Sequence, residues 1–298
     1  MRAAAWALGV AILLSLTGCG SGEEPSARIV LEPVVLRGSA IRSRDLDLAV
    51  SIIQARLRKL GQDDWHVRHE EGRIVIDLPA GISAPDAVVT QQGQLEFFDL
   101  QADLTEASKD SSGFPRPSTS RLVARGKTVV VRCGKRERYC PGVPHQPNRT
   151  YFYLFKYDPL NAVHPIPEMT GSDVKLIRQD FDTSPGGGGG PIVLMQFTKD
   201  GGDKFHDITS TLALRGRDEA WRLGLRGADN DVANQQFAIV LDREMRSAPT
   251  VDFDENPDGI PGDNGVQISG IGSVQEAKDL ALVLQTGALP VQFRVVSE

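Results

Sequence analysis

Between Arg28 and Leu100 the apolar pattern switches between a period of two and a period near 3.6 in a fixed order, which restricts the fold more than any single motif does. The stretch RIVLEPVVLR is β-rich. From Ser43 to Leu60 the apolar residues Leu46, Ala49, Ile53, Leu57 and Leu60 make one helical face, stopped by Gly61. WHVRH and RIVIDLP then alternate as two strands around a Glu71-Gly72 turn, Ala84 to Gly93 is a short helix with a glycine stop, and QLEFFDL is a strand again. The order βαββαβ is the split βαβ, or ferredoxin-like, arrangement, with two helices on one face of a four-stranded sheet.

Residues 101–170 are less regular, rich in Ser, Pro, Gly and charge, with a strand at KTVVVRC and an aromatic run YFYLFKY that reads as a core strand. Beyond it lies a second α+β unit. DVKLIRQDF is a strand, DTSPGGGGGP a loop, IVLMQF a buried strand, and Lys204 to Leu214 a helix with Phe205, Ile208 and Leu212 on one side. QFAIVLD and EMRSAPTV pair across a tight Asp-Arg turn. Ser273 and Glu276 form a capping box before a helix that turns Val274, Ala277, Leu280, Ala281 and Leu284 inward. Gly287 and Pro290 end that helix, and LPVQFRVV is a last strand available to the first sheet. A chain of 298 residues has room for one large domain or two ordinary ones.

The N-terminus has the pattern of a bacterial lipoprotein signal over residues 1–18: Arg2, the apolar WALGVAILLSL, then LTGC, which makes Cys19 the lipidated first residue of the mature chain. The plainer reading is a secretory signal with an incidental cysteine. Residues 19–27 are then a flexible tether, and acyl chains on Cys19 hold the chain on a membrane at about 0.8 kcal/mol per buried methylene. Export places Cys133 and Cys140 in an oxidising compartment, which favours a disulfide between them over free thiols. Net charge is −6 with both signs interspersed, so nucleic acid is not an expected partner.

Motifs with catalytic chemistry are few. DENPDG opens like a calcium loop, with Asp254, Asn256, Asp258 and Asp263 as candidate ligands, but the twelfth position is Gly265 where a glutamate is needed, and a polar hairpin loop is the plainer reading. GKT (Gly126 to Thr128) and the glycine run 186–190 precede strands, so neither makes a helix N-terminus for phosphates. His66 and His69 fall on opposite faces of a strand. No nucleophile constellation stands out. The reading is of a non-enzyme without cofactors.

The block FAIVLDREMRSAPTV, then GVQISGIGSVQEAKDLALVLQTGALPV, resembles the large extracytoplasmic domain of the SecD family, accessory membrane subunits of the Sec export machinery. IIQARLRKLG, with Ala55 where the family has asparagine, and RIVIDLPAGI, QLEFFDL and MTGSDV follow in the family's order. The resemblance implies a ferredoxin-like base (28–100), a connector (101–170) whose part from Asp103 to Thr150 is an insertion outside the common pattern, an inserted head (171–287), and a strand (288–298) returning to the base. It implies Sec translocon subunits and exported polypeptides as partners, at the extracytoplasmic face of a bacterial membrane. Relatives continue into a membrane bundle. Here the sequence stops at Glu298 and a lipid on Cys19 is expected to stand in for the first membrane helix, so proton-driven work is not carried over. The alternative is an envelope lipoprotein that binds a small ligand or scaffolds a complex.

Overall fold

A computed structural model describes residues 27–34, 41–62, 64–79, 86–134, 140–143, 149–183, 188–263 and 265–297; the signal segment, Cys19 and most of the tether lie outside them. Strand β1 (Ala27–Pro33) sits between β14 (Phe293–Ser297) and β3 (Arg73–Leu78), and β3 is flanked by β2 (His66–Glu70), all antiparallel. Glu71 and Gly72 take positive φ values of 49° and 79°, the left-handed pair that a two-residue hairpin turn needs. Helix α1 (Ser43–Lys59) presses Leu46, Ala49, Ile53 and Leu57 onto Ile29, Leu31, Ile74 and Ile76. The opposite face of this sheet is wet, laced by ion pairs of Arg28 with Asp77 and of Arg73 and Arg294 with Glu32.

The fourth strand of this base is therefore β14, not the QLEFFDL segment. That segment, β4 (Leu95–Asp99), leaves the base after the short helix α2 (Asp86–Thr90) and pairs with β10 (Gln235–Leu241) from Leu95↔Leu241 to Asp99↔Phe237. The reason lies in its side chains. All five residues of β4 are buried, so it needs cover on both faces, and the base sheet covers only one.

The sheet around β4 runs β6 (Tyr151–Lys156), β5 (Thr128–Cys133), β11 (Glu244–Ser247), β10, β4, β7 (Met169–Thr170), with β12 (Thr250–Val251) also on β10. Residues 101–170, irregular in sequence, thus supply three strands of this sheet and the short helix α3 (Leu100–Asp103). Phe98, Ala238 and Val240 point to a core with Val131, Tyr153 and Phe155, closed by a disulfide between Cys133 and Cys140. Phe97, Phe237 and Ile239 point the other way, into the core of the head.

That core is roofed by β13 (Val266–Ile268), β9 (Pro191–Phe197) and β8 (Val174–Phe181), by helix α4 (Lys199–Leu223) and by α5 (Val274–Thr286). Helix α4 is longer at both ends than the expected 204–214. Its N-cap Thr198 accepts from the Gly201 N–H, and Gly201 is required there because a Cβ would lie 2.1 Å from the Asp173 carbonyl oxygen. Ser273 caps α5 by accepting from the Glu276 N–H, while the Glu276 carboxylate accepts from the Gly272 N–H.

Candidate functional site

The chain passes between base and head twice, and the two passages lie side by side. The outgoing one follows α2 through Gln92 and Gly93; the returning one follows α5 through Gly287 and Leu289. The Leu289 N–H donates to the Gln92 carbonyl at 2.8 Å, and the Gln92 side chain donates back to the Leu289 carbonyl at 3.2 Å. Arg56, projecting from α1 and fully buried, clasps both. Its Nη1 donates to the carbonyls of Val88 (2.9 Å) and Gln91 (2.7 Å), its Nη2 to Gly287 (2.9 Å) and Gln92 (3.4 Å), and its Nε to Thr286 Oγ1 (3.2 Å). The carbonyls at the ends of two helices replace a carboxylate here, and the helix dipoles favour the cation. Burial still pulls the Arg56 pKa down to about 10.

Where α4 crosses β4, three carboxylates converge. Arg215 holds Asp99 in a two-pronged pair at 2.8 and 2.6 Å. The Asp99 N–H in turn donates to both Asp103 Oδ2 and Glu168 Oε2, each at 3.1 Å. Burial, reinforced by their mutual repulsion, pushes Glu168 up to about 9, and burial raises Asp103 to about 6, so the pair keeps a shared proton at neutral pH. A further buried acid, Glu96, is raised by burial although it accepts from Arg243 at 2.5 Å and from Tyr157 at 3.0 Å; Arg243 also stacks 4.6 Å over the Tyr157 ring. These groups tie strands and helix together.

The head's surface is different. On α4 the buried stripe is Phe205, Leu212, Gly216 and Ala220; the opposite stripe carries Leu214 and, seven residues on, Trp221, which is 86% exposed. Leu223 at the helix end and Val232 beyond it are also exposed.

The calcium candidates are not gathered into a site. Asp254 accepts from the Asn230 amide, the Asn256 amide turns back to the Asp252 carbonyl, the Asp258 carbonyl accepts from the Ser210 hydroxyl, and Asp263 is exposed. Among the described residues no group of three or more His, Cys, Asp and Glu is placed to hold a metal ion. His69 meets Asp47 at 2.9 Å while His66 is exposed. Sequence reasoning passed over Arg56, although one signal was present: it interrupts the apolar stripe beside Ile53 and Leu57 with no acid three or four residues away.

A ferredoxin-like base whose second half is interrupted by an α+β head, joined to it by two paired passages, defines a class of two-lobed α+β modules. Residues 153–291 match the family model of the SecDF P1 head subdomain, and the chain resembles SecD proteins over most of its length. It is 27% identical over 288 residues to the protein translocase subunit SecDF of Thermus thermophilus, covering 92% of this chain and 31% of that protein. It is 23% identical over 296 residues to the protein translocase subunit SecD of Acidaminococcus fermentans, covering 98% of this chain and 48% of that protein. The chain thus spans about a third to about half of the length of these relatives. Among solved structures it resembles one described as "Structure and function of a membrane component SecDF that enhances protein export", with a TM-score of 0.53 and 22% identity over 91% of this chain and 99% of that one. This likeness establishes the fold. Among the described residues no helix is long and apolar enough to cross a membrane.

Proposed function

We propose that this chain is an accessory domain of protein export, held at the extracytoplasmic face of a bacterial membrane by a lipid on Cys19, which binds polypeptide emerging from the Sec translocon. It works by contact, without catalysis and without proton-driven work of its own. The observation that carries the reading is the apolar surface on the outer side of α4, where Leu214 and Trp221 stand in water. A folded monomer has no stability reason to place a tryptophan there, whereas an unfolded client offers apolar side chains to cover it. The SecD-like fold supplies the setting. The Cys133–Cys140 disulfide supports an extracytoplasmic place for the domain.

Site-specific photo-crosslinking in cells tests this. A crosslinker replacing Trp221 should capture secretory precursors or translocon subunits, and one replacing Arg28 on the wet face of the base should not. Absence of such products from every exposed head position would refute the reading. Replacing Cys19 with alanine should release the chain from the membrane fraction.

A further inference from the structure

The outer edge of the head's three-stranded roof is open. Strand β8 pairs with β9 on one side and, among the described residues, has no strand partner on the other. Its eight residues span about 26 Å. Alternation tells which backbone groups face out. Met195 pairs with Val266 of β13 on one side and with Ile177 of β8 on the other, and the Ile177 carbonyl turns away from β9 to accept from the Gln285 side-chain amide. In an antiparallel ladder the N–H and C=O of Ile177, and of Gln179 two residues on, then face the open side.

Beside that edge lies a cleft of about 530 Å³ between β8, the end of α5 and the base. Val174, Ile177 and Leu284 give it apolar walls, and Lys59 and Lys175 stand in its lining with no acidic residue among them. Lys59 Nζ donates to Gln285 Oε1 at 2.8 Å, which aims the other end of that amide at the Ile177 carbonyl. The Gln285 amide therefore sits where the N–H of a neighbouring strand would sit.

We propose that β8 receives an extended segment of unfolded polypeptide as an added antiparallel strand, its apolar side chains resting in the cleft and an acidic residue meeting Lys59 and Lys175. The incoming backbone displaces the Gln285 amide. Backbone pairing fits a receptor of many sequences, because every residue but proline offers the same donor and acceptor. The two lysines and the absence of acids in the lining favour a negatively charged segment. This mode of binding rests on the proposed role in export and specifies where and how the client is held.

The test uses the full purified chain and a fluorescein-labelled peptide of alternating valine and threonine with a glutamate at one end. A second peptide carries N-methyl groups on alternate amides, which leaves its side chains intact and removes one edge of hydrogen bonds. Fluorescence anisotropy should show the methylated peptide binding at least about tenfold more weakly. The Gln179→Pro variant, which loses an outward N–H and keeps its pairing to β9, should show a similar loss, with folding checked by circular dichroism. Equal binding of the two peptides, no binding of the parent peptide, or self-association through β8 that the peptide does not compete would each overturn the proposal. In cells, a crosslinker at Lys175 should capture precursors. Capture from Trp221 but not from Lys175 would overturn strand addition and leave the export role standing, while capture from no exposed head position would overturn both.

Discussion

Replacing Arg56 with methionine keeps most of the side chain's volume and removes its five donated hydrogen bonds. The Gln92 carbonyl would retain the Leu289 N–H, but the carbonyls of Val88, Gln91 and Gly287 would lose the guanidinium. Three acceptors left bare, the Val88 carbonyl buried and the other two partly so, cost roughly 1–3 kcal/mol each, about 6 in all. Against this, the cation no longer has to be buried. The fall of its pKa from 12.5 to about 10 corresponds to about 3 kcal/mol at 1.36 kcal/mol per unit. The difference leaves Arg56→Met about 3 kcal/mol less stable, a large part of the 5–15 kcal/mol typical of a domain. Urea unfolding followed by circular dichroism would show this as a lower midpoint at unchanged slope. Amide exchange should rise first at Leu289, whose N–H donates to the Gln92 carbonyl where the two passages meet. A variant within about 0.5 kcal/mol of the parent, with the Leu289 amide still protected, would refute the idea that Arg56 holds base and head together.

The shared proton of Asp103 and Glu168 makes stability depend on pH. The folded pKa of Glu168 lies above its unfolded value of 4.5, so its contribution is complete below that value and is lost as pH rises toward about 9. The free energy of unfolding should fall over this window by up to about 1.4 kcal/mol per pH unit, and Glu168→Gln should flatten the profile; parallel profiles would exclude the pair as the cause. Changing both Cys133 and Cys140 to serine should cost about 2 kcal/mol, as expected for a loop closed across a separation of 7 residues, and reducing agent should then have no further effect on the melting temperature. Trp221→Ala should leave the melting temperature within about 2 °C of the parent while reducing precursor capture from neighbouring α4 positions.

Local rules made much of the fold readable in the sequence. The Glu71-Gly72 and Asp242-Arg243 turns, the Ser273 cap and the strands of base and head obey periodicity and turn chemistry, and the structure has both turns at positive φ. What local rules do not carry is partner choice. Leu95 to Asp99 reads equally well as a base strand or a central one until its two buried faces find β10. Gly201, Gly202 and Gly216 weaken the helical signal of α4, yet Gly201 is there for close approach to Asp173 and Gly216 for packing against Phe253. The exposed stripe of α4 was not legible, since which stripe faces water depends on the sheet beneath it. The backbone partners of Arg56 lie on two segments, 32 and 231 residues distant, beyond any window of pattern reading.

The pairing of Gln92 with Leu289 brings together positions 197 residues apart. Entrance and exit of the upper lobe are thus a single seam, and everything between them could be lengthened, trimmed or exchanged without moving the register of the strands below. A short graft joining Gln92 directly to Leu289 would leave the lower lobe a closed four-stranded unit, which makes the upper lobe the part free to diversify with whatever it must grasp.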